Sequence, residues 1–90
     1  QRKGRKKVEL EFESTPGRLV TVAGTFNDWD PDKKILKEVD EQGHYQATLM
    51  LPKGRHEYKF LIDGNWCTDP KNPHCVPNDQ GSYNNVLVIQ

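Results

Sequence analysis

The chain has 90 residues, a hydrophobic share of 33% and a formal net charge of zero, which bounds it to one small domain with a thin two-layer core. No apolar run reaches the roughly 18–20 residues that span a bilayer, and no apolar signal-peptide core is present. Residues 1–7 carry five basic side chains while the remainder holds eight basic and thirteen acidic ones, so the body lacks the basic folded face of a nucleic-acid module.

In chain order, Arg2, Lys3, Arg5, Lys6 and Lys7 come first and follow no hydrophobic period. Residues 1–7 are expected to form a basic flexible linker, with a nuclear-localisation or anion-binding patch as the competing reading. Residues 8–90 are expected to form the folded domain. The start at Gln1 reads as an excised fragment, from which targeting segments can be missing. Val8, Leu10 and Phe12 alternate with Glu9, Glu11 and Glu13, one strand with an apolar and a charged face. Thr15-Pro16-Gly17 stops it, and Leu19 to Ala23 forms a second, β-branched strand ending at Gly24. Residues 25–34 make a loop rich in turn formers. Ile35 to Val39 suggests a short edge strand. Tyr45, Ala47, Leu49 and Leu51 alternate again, Pro52-Lys53-Gly54 turns the chain, and Tyr58, Phe60 and Ile62 continue the period of two.

Asp63-Gly64 between apolar strands predicts a two-residue type I′ hairpin, since glycine accepts the positive φ that turn requires. An irregular stretch over 69–83 follows, and Asn85 to Ile89 forms the last strand. Short strands at this spacing without a helical segment predict an all-β, antiparallel β-sandwich.

The hairpin fixes a register. Ile62 faces Asn65, Leu61 faces Trp66, Phe60 faces Cys67 and Lys59 faces Thr68. Tyr58, Phe60 and Ile62 then share the core face, and Lys59, Leu61 and Trp66 the solvent face. Trp66 is either packed under the 69–83 segment or an exposed indole platform. Cys67 falls on the core face as a small apolar filler with an inert thiol. A Cys67–Cys75 bridge and a metal site are the alternatives. Trp29 either caps an open end of the sandwich or serves a ligand; Phe26 is the better candidate for the inward role.

The composition carries no catalytic constellation. His44, His56 and His74 accompany no nucleophile motif, the carboxylates are scattered, and no phosphate-cradling loop or metal-ligand spacing occurs. No enzyme and no cofactor are expected. Paired aromatics beside a lysine can stack nucleic-acid bases, but the acidic body opposes phosphate binding. A neutral, hydroxyl-rich ring suits an indole and a lysine better. Two cysteines and no Asn-x-Ser/Thr site suggest an intracellular, cytoplasmic parent.

The ordered series Val22 to Trp29, Leu51 to Trp66, Asp69-Pro70 and Asn84-Asn85-Val86 resembles the family-48 carbohydrate-binding modules. Within that family the likeness is nearest to the glycogen-binding domains of AMP-activated protein kinase β subunits. The resemblance implies an immunoglobulin-like (E-set) sandwich that binds α-1,4-glucans such as glycogen or starch. It places stacking tryptophans at Trp29 and Trp66, a hydroxyl-bonding lysine at Lys59, and polar contacts at Ser82 and Asn84. Gln80 stands where kinase-associated members carry a leucine against the sugar, and Ser82 where they carry threonine. The expected partners are an α-glucan and, through a parent protein, kinase subunits or a catalytic domain; no nucleic acid and no membrane. The rival readings are an E-set domain that docks protein without binding sugar, and an accessory domain packed beside an amylase-type enzyme.

Overall fold

The computed structural model describes residues 4–90, and among them every regular element is a strand. Strands β1 (Arg5–Glu13), β2 (Val20–Gly24), β3 (Lys37–Glu38), β4 (His44–Pro52), β5 (Gly54–Ile62), β6 (Asn65–Cys67), β7 (Cys75–Pro77) and β8 (Tyr83–Ile89) follow in chain order. They form two antiparallel sheets, one ordered β1-β4-β3 and the other β2-β5-β8-β7 with β6 also paired to β5. This is the expected antiparallel sandwich.

The alternation written in β1 and β4 decides how the first sheet lies. Leu10 faces Ala47 and Phe12 faces Tyr45 across the ladder, so one side of the pair is apolar and turns inward. Val20 and Val22 of β2 and Tyr58 and Phe60 of β5 supply the opposing layer. Phe12 and Phe60 meet across the sandwich with ring centroids 5.0 Å apart, a tilted aromatic contact at the centre of the core. Phe26 packs against this cluster and lies edge-on to His56, the inward role expected for it. Tyr45 is buried with its hydroxyl donating to the Thr15 carbonyl and accepting from the Arg18 N–H, which pins the turn between β1 and β2.

Several boundaries differ from expectation: the edge strand expected over Ile35 to Val39 is only Lys37–Glu38, and the last strand begins at Tyr83 rather than Asn85. β1 begins at Arg5 rather than Val8, because Arg5, Lys6 and Lys7 pair with Pro52, Leu51 and Met50 of β4. A backbone ladder needs no apolar side chain, so hydrophobic alternation underestimates the strand. The expected linker therefore loses residues 5–7 to the sheet; Arg2 and Lys3 lie outside the described residues. The stretch 69–83 also contains β7, a short edge strand on β8.

The hairpin register holds where the ladder exists. Phe60 faces Cys67, Leu61 faces Trp66 and Ile62 faces Asn65, and the loop residues Asp63 and Gly64 have φ of 50° and 85°, the two positive values a type I′ turn needs. Lys59 and Thr68 lie beyond the paired residues. Both cysteines are free: Cys67 is half-buried against the core, and Cys75 is exposed on β7. In the folded protein Cys75 will react with a thiol reagent faster than Cys67, and denaturant will equalise them. Equal rates in the native state would contradict this placement of Cys67.

Candidate functional site

The site grows from the end of β2. Gly24 lies so close to β5 that a Cβ there would stand 2.3 Å from the Glu57 carbonyl oxygen and 2.9 Å from the Tyr58 Cβ. Only glycine fits, and the chain leaves the sheet in contact with β5. The Thr25 N–H donates to that same Glu57 carbonyl at 2.9 Å. Asn27 then folds the loop on itself, its Oδ1 accepting from the Gly24 N–H and its Nδ2 donating to the Val22 carbonyl. The Trp29 N–H closes the turn onto the Gly24 carbonyl at 2.9 Å.

Those bonds hold Asp28 and Trp29 at φ of 56° and 58°. Side chains other than glycine, asparagine and aspartate seldom adopt left-handed backbone, at a cost of about 1–3 kcal/mol. The consequence is positional. Trp29 is aimed at β6, and its ring centroid lies 6.3 Å from that of Trp66 with 59° between the planes. Trp66 is 50% exposed, outward on β6 opposite Leu61 as the register requires. Two indoles thus form the walls of an angled, partly open cradle.

A polar rail runs beside them. Asn78 closes the 78–82 loop, its Oδ1 accepting from the N–H groups of Gln80 and Ser82 and its N–H donating to the Ser82 carbonyl. Its Nδ2 donates to Asn84 Oδ1 at 2.9 Å, and Asn84 Nδ2 donates to Glu57 Oε1 at 3.0 Å. The second Glu57 oxygen accepts from Arg55 at 2.6 Å. The Asn84 hydrogen bond first, and Arg55 second, hold the Glu57 carboxyl below the usual range against the opposing effect of desolvation, so it is an ionised, acceptor-only group at neutral pH. Lys59 Nζ donates to Ser82 Oγ at 3.0 Å.

The six residues singled out in the sequence, Trp29, Lys59, Trp66, Gln80, Ser82 and Asn84, all line one open concavity of about 570 Å³, together with Thr25, Glu57, Asn78 and Asp79. Its size lies within the range of small-molecule sites. One expectation needs correction. Lys59 is only 8% exposed, not on an open solvent face, because the 78–82 loop lies against it and Ser82 Oγ accepts one of its hydrogen bonds. An ammonium has three donors, so two remain for a ligand. Leu61, also expected on the solvent face, is buried between Thr21 and Trp66 on the flanking strands. Glu57 and Asn78 were not among the expected residues. Glu57 was within reach, since a period of two puts it on the same face as Lys59; Asn78 lies in an irregular segment with no periodic signal.

The family model described as the glycogen recognition site of AMP-activated protein kinase matches residues 7–90. The human 5'-AMP-activated protein kinase subunit beta-2 is 35% identical over 77 residues, covering 86% of this chain and 27% of its own length. Subunit beta-1 from Rattus norvegicus is 36% identical over 74 residues, 82% of this chain and 26% of its own. For beta-1 from Sus scrofa the identity is again 36% over 74 residues, and the match covers 57% of that sequence. The chain therefore spans about a quarter of the length of the full beta subunits and just over half of the porcine sequence.

Proposed function

This chain belongs to the family of glycogen recognition sites of AMP-activated protein kinase, and from that premise we propose that it is a non-catalytic module binding α-1,4-linked glucans, which holds a larger intracellular, cytoplasmic protein on glycogen or starch. The observation that carries the reading is the pair of indoles, Trp29 and Trp66, set at 59° beside a rail of fixed donors and acceptors. Glucose rings present apolar C–H faces that stack on an indole. Successive rings of an α-1,4-linked chain turn relative to one another, so an angled pair of platforms serves two of them better than a flat pair. Lys59 retains two N–H donors for hydroxyls, and Asn84 retains one donor and one acceptor after its bonds to Glu57 and Asn78. Asn78 and Glu57 thereby fix which end of the Asn84 amide faces the ligand. Gln80 offers a further hydrogen-bonding side chain at the wall of the concavity.

The parent protein is proposed to associate with kinase subunits or with a catalytic domain, which this chain would bring to the polysaccharide. A domain that only docked protein would not require two tryptophans and eight polar residues around one open concavity. The two free cysteines suit a reducing compartment.

Co-sedimentation with glycogen tests the proposal. The chain will partition into the pellet, and the fraction bound will change little as ionic strength rises, since a neutral glucan releases no condensed counterions. Failure to sediment, or a steep linear loss of log affinity with log salt, would overturn it.

Lys59→Gln is expected to weaken the affinity for a soluble maltooligosaccharide by about tenfold, because a charged donor contributes about 1.5–3 kcal/mol and a neutral one less. The burial of Lys59 adds a modest fall in the thermal midpoint. Titration beside a melt reads both; unchanged affinity in a folded variant removes Lys59 from the site.

A further inference from the structure

The outward face of β1 holds none of the site residues and has its own chemical order. Arg5 and Lys7 stand at its start and Glu9, Glu11 and Glu13 at its end, alternating with the residues that turn inward. β1 is also an edge. Among the described residues its one ladder is to β4, so a nine-residue strand presents unpaired N–H and C=O groups on its other side.

Charges on an edge strand ordinarily deter pairing. Here their order is self-complementary. A two-fold axis through Val8, perpendicular to the sheet, sets a second β1 antiparallel to the first. Arg5 then faces Glu11 of the second copy, Lys7 faces Glu9, and symmetry repeats both pairs in reverse. No neighbouring register does this. An axis through Lys7 or Glu9 sets that residue against itself, and an axis between residues opposes outward with inward side chains. At the centre, Val8 is only partly buried against the core, and its counterpart would cover it.

The intrachain contacts leave Arg5 and Lys7 without a close carboxylate partner, while Glu11 already accepts from Gln46 Nε2 at 3.3 Å as well as from Lys71. Lys7 reaches Glu9 only at 3.9 Å, with its side chain 65% exposed. Arg5 donates to the Met50 carbonyl rather than to a carboxylate. Lys71 bridges Glu11 and Glu13 at 3.3 Å each and anchors them at the edge while both stay about half exposed.

We propose that β1 is a self-association edge: a second copy of this chain adds to it antiparallel, joining two three-stranded sheets into one. The glucan concavity lies on the other sheet, so both copies keep it open. On the glucan reading, the pair is bivalent for a polysaccharide that offers many chains; the association itself does not depend on that reading.

Sedimentation velocity at rising protein concentration and low salt tests this without any glucan. The wild-type chain will move from its 10.4 kDa monomer mass toward twice that value, and added salt will reverse the shift. Lys7→Glu places like charges opposite Glu9 twice and will raise the concentration needed by about tenfold or more. The double variant Lys7→Glu/Glu9→Lys reverses each pair and will restore association. Both positions are exposed, and a thermal melt verifies that each variant is folded. A wild-type monomer at all accessible concentrations overturns the proposal. So does a Lys7→Glu variant that associates as the wild type does, or a folded double variant that fails to recover.

Discussion

Trp66→Ala will abolish retention of the chain on glycogen while leaving it folded. The ring is half exposed and stands outside the core cluster, so its loss opens no interior cavity, and surface changes of that kind usually shift stability by about 0.5 kcal/mol or less. Binding is another matter. A stacked aromatic contributes about 1–3 kcal/mol per ring on platforms for nucleic-acid bases, which is roughly 5- to 150-fold in affinity. The cradle has two walls, and removing one also leaves Trp29 without the neighbour 6.3 Å away. The upper part of that range is therefore expected, beyond detection in a pull-down. Co-sedimentation and a thermal melt on the same preparation decide it. A folded Trp66→Ala protein that still pellets with glycogen would exclude this concavity as the binding site.

The outward face of Trp66 was legible in the sequence because one dipeptide controls it, whereas its exposure on that face was one of two open readings. Asp63-Gly64 permits few turn geometries, the turn fixes the register, and the register fixes the face of every residue from Tyr58 to Cys67. The apolar faces of β1 and β4 were legible for the same reason of period. The burial of Lys59 was not, since its cover comes from the 78–82 loop, which is closed by hydrogen bonds from Asn78 rather than by any hydrophobic pattern. β7 escaped notice because Cys75, Val76 and Pro77 are too few to show alternation, and they pair only because β8 is already in place. The position of Trp29 depends on an asparagine bracket and two left-handed residues, features a residue string suggests only as a turn.

Asn85→Ala should be the most damaging single change outside the apolar core. Asn85 is fully buried, and its amide ties the segment after β6 to β8. Its Oδ1 accepts from the Asp69 N–H at 2.6 Å, and its Nδ2 donates to the Asn72 carbonyl at 3.0 Å and the Asp69 carbonyl at 3.4 Å. The same segment is fastened from the other side. The Tyr58 hydroxyl donates to Asp69 Oδ2 and accepts from Asn72 Nδ2, which also reaches the Val86 carbonyl. Burial pushes the Tyr58 phenol well above its usual range, so it stays a neutral donor at any physiological pH. No buried side-chain N or O atom among the described residues lacks a partner, and the network is closed. Alanine at position 85 would leave the Asp69 N–H and the Asn72 carbonyl without their side-chain partner. Each buried, unsatisfied group costs about 1–3 kcal/mol, and the vacated volume adds to that. The expected loss is about 3–5 kcal/mol, a large part of the 5–15 kcal/mol that holds a small domain together, or roughly 15–30 °C in thermal midpoint. Glucan binding should disappear with the fold, unlike the Trp66→Ala case, where it disappears alone. Asn85→Asp separates the contributions: it keeps an acceptor for the Asp69 N–H, loses the donors, and brings a second carboxylate toward Asp69, so it should destabilise as well. A melt of Asn85→Ala within two or three degrees of wild type would show that the segment is held by its backbone and by Tyr58 without help from the amide.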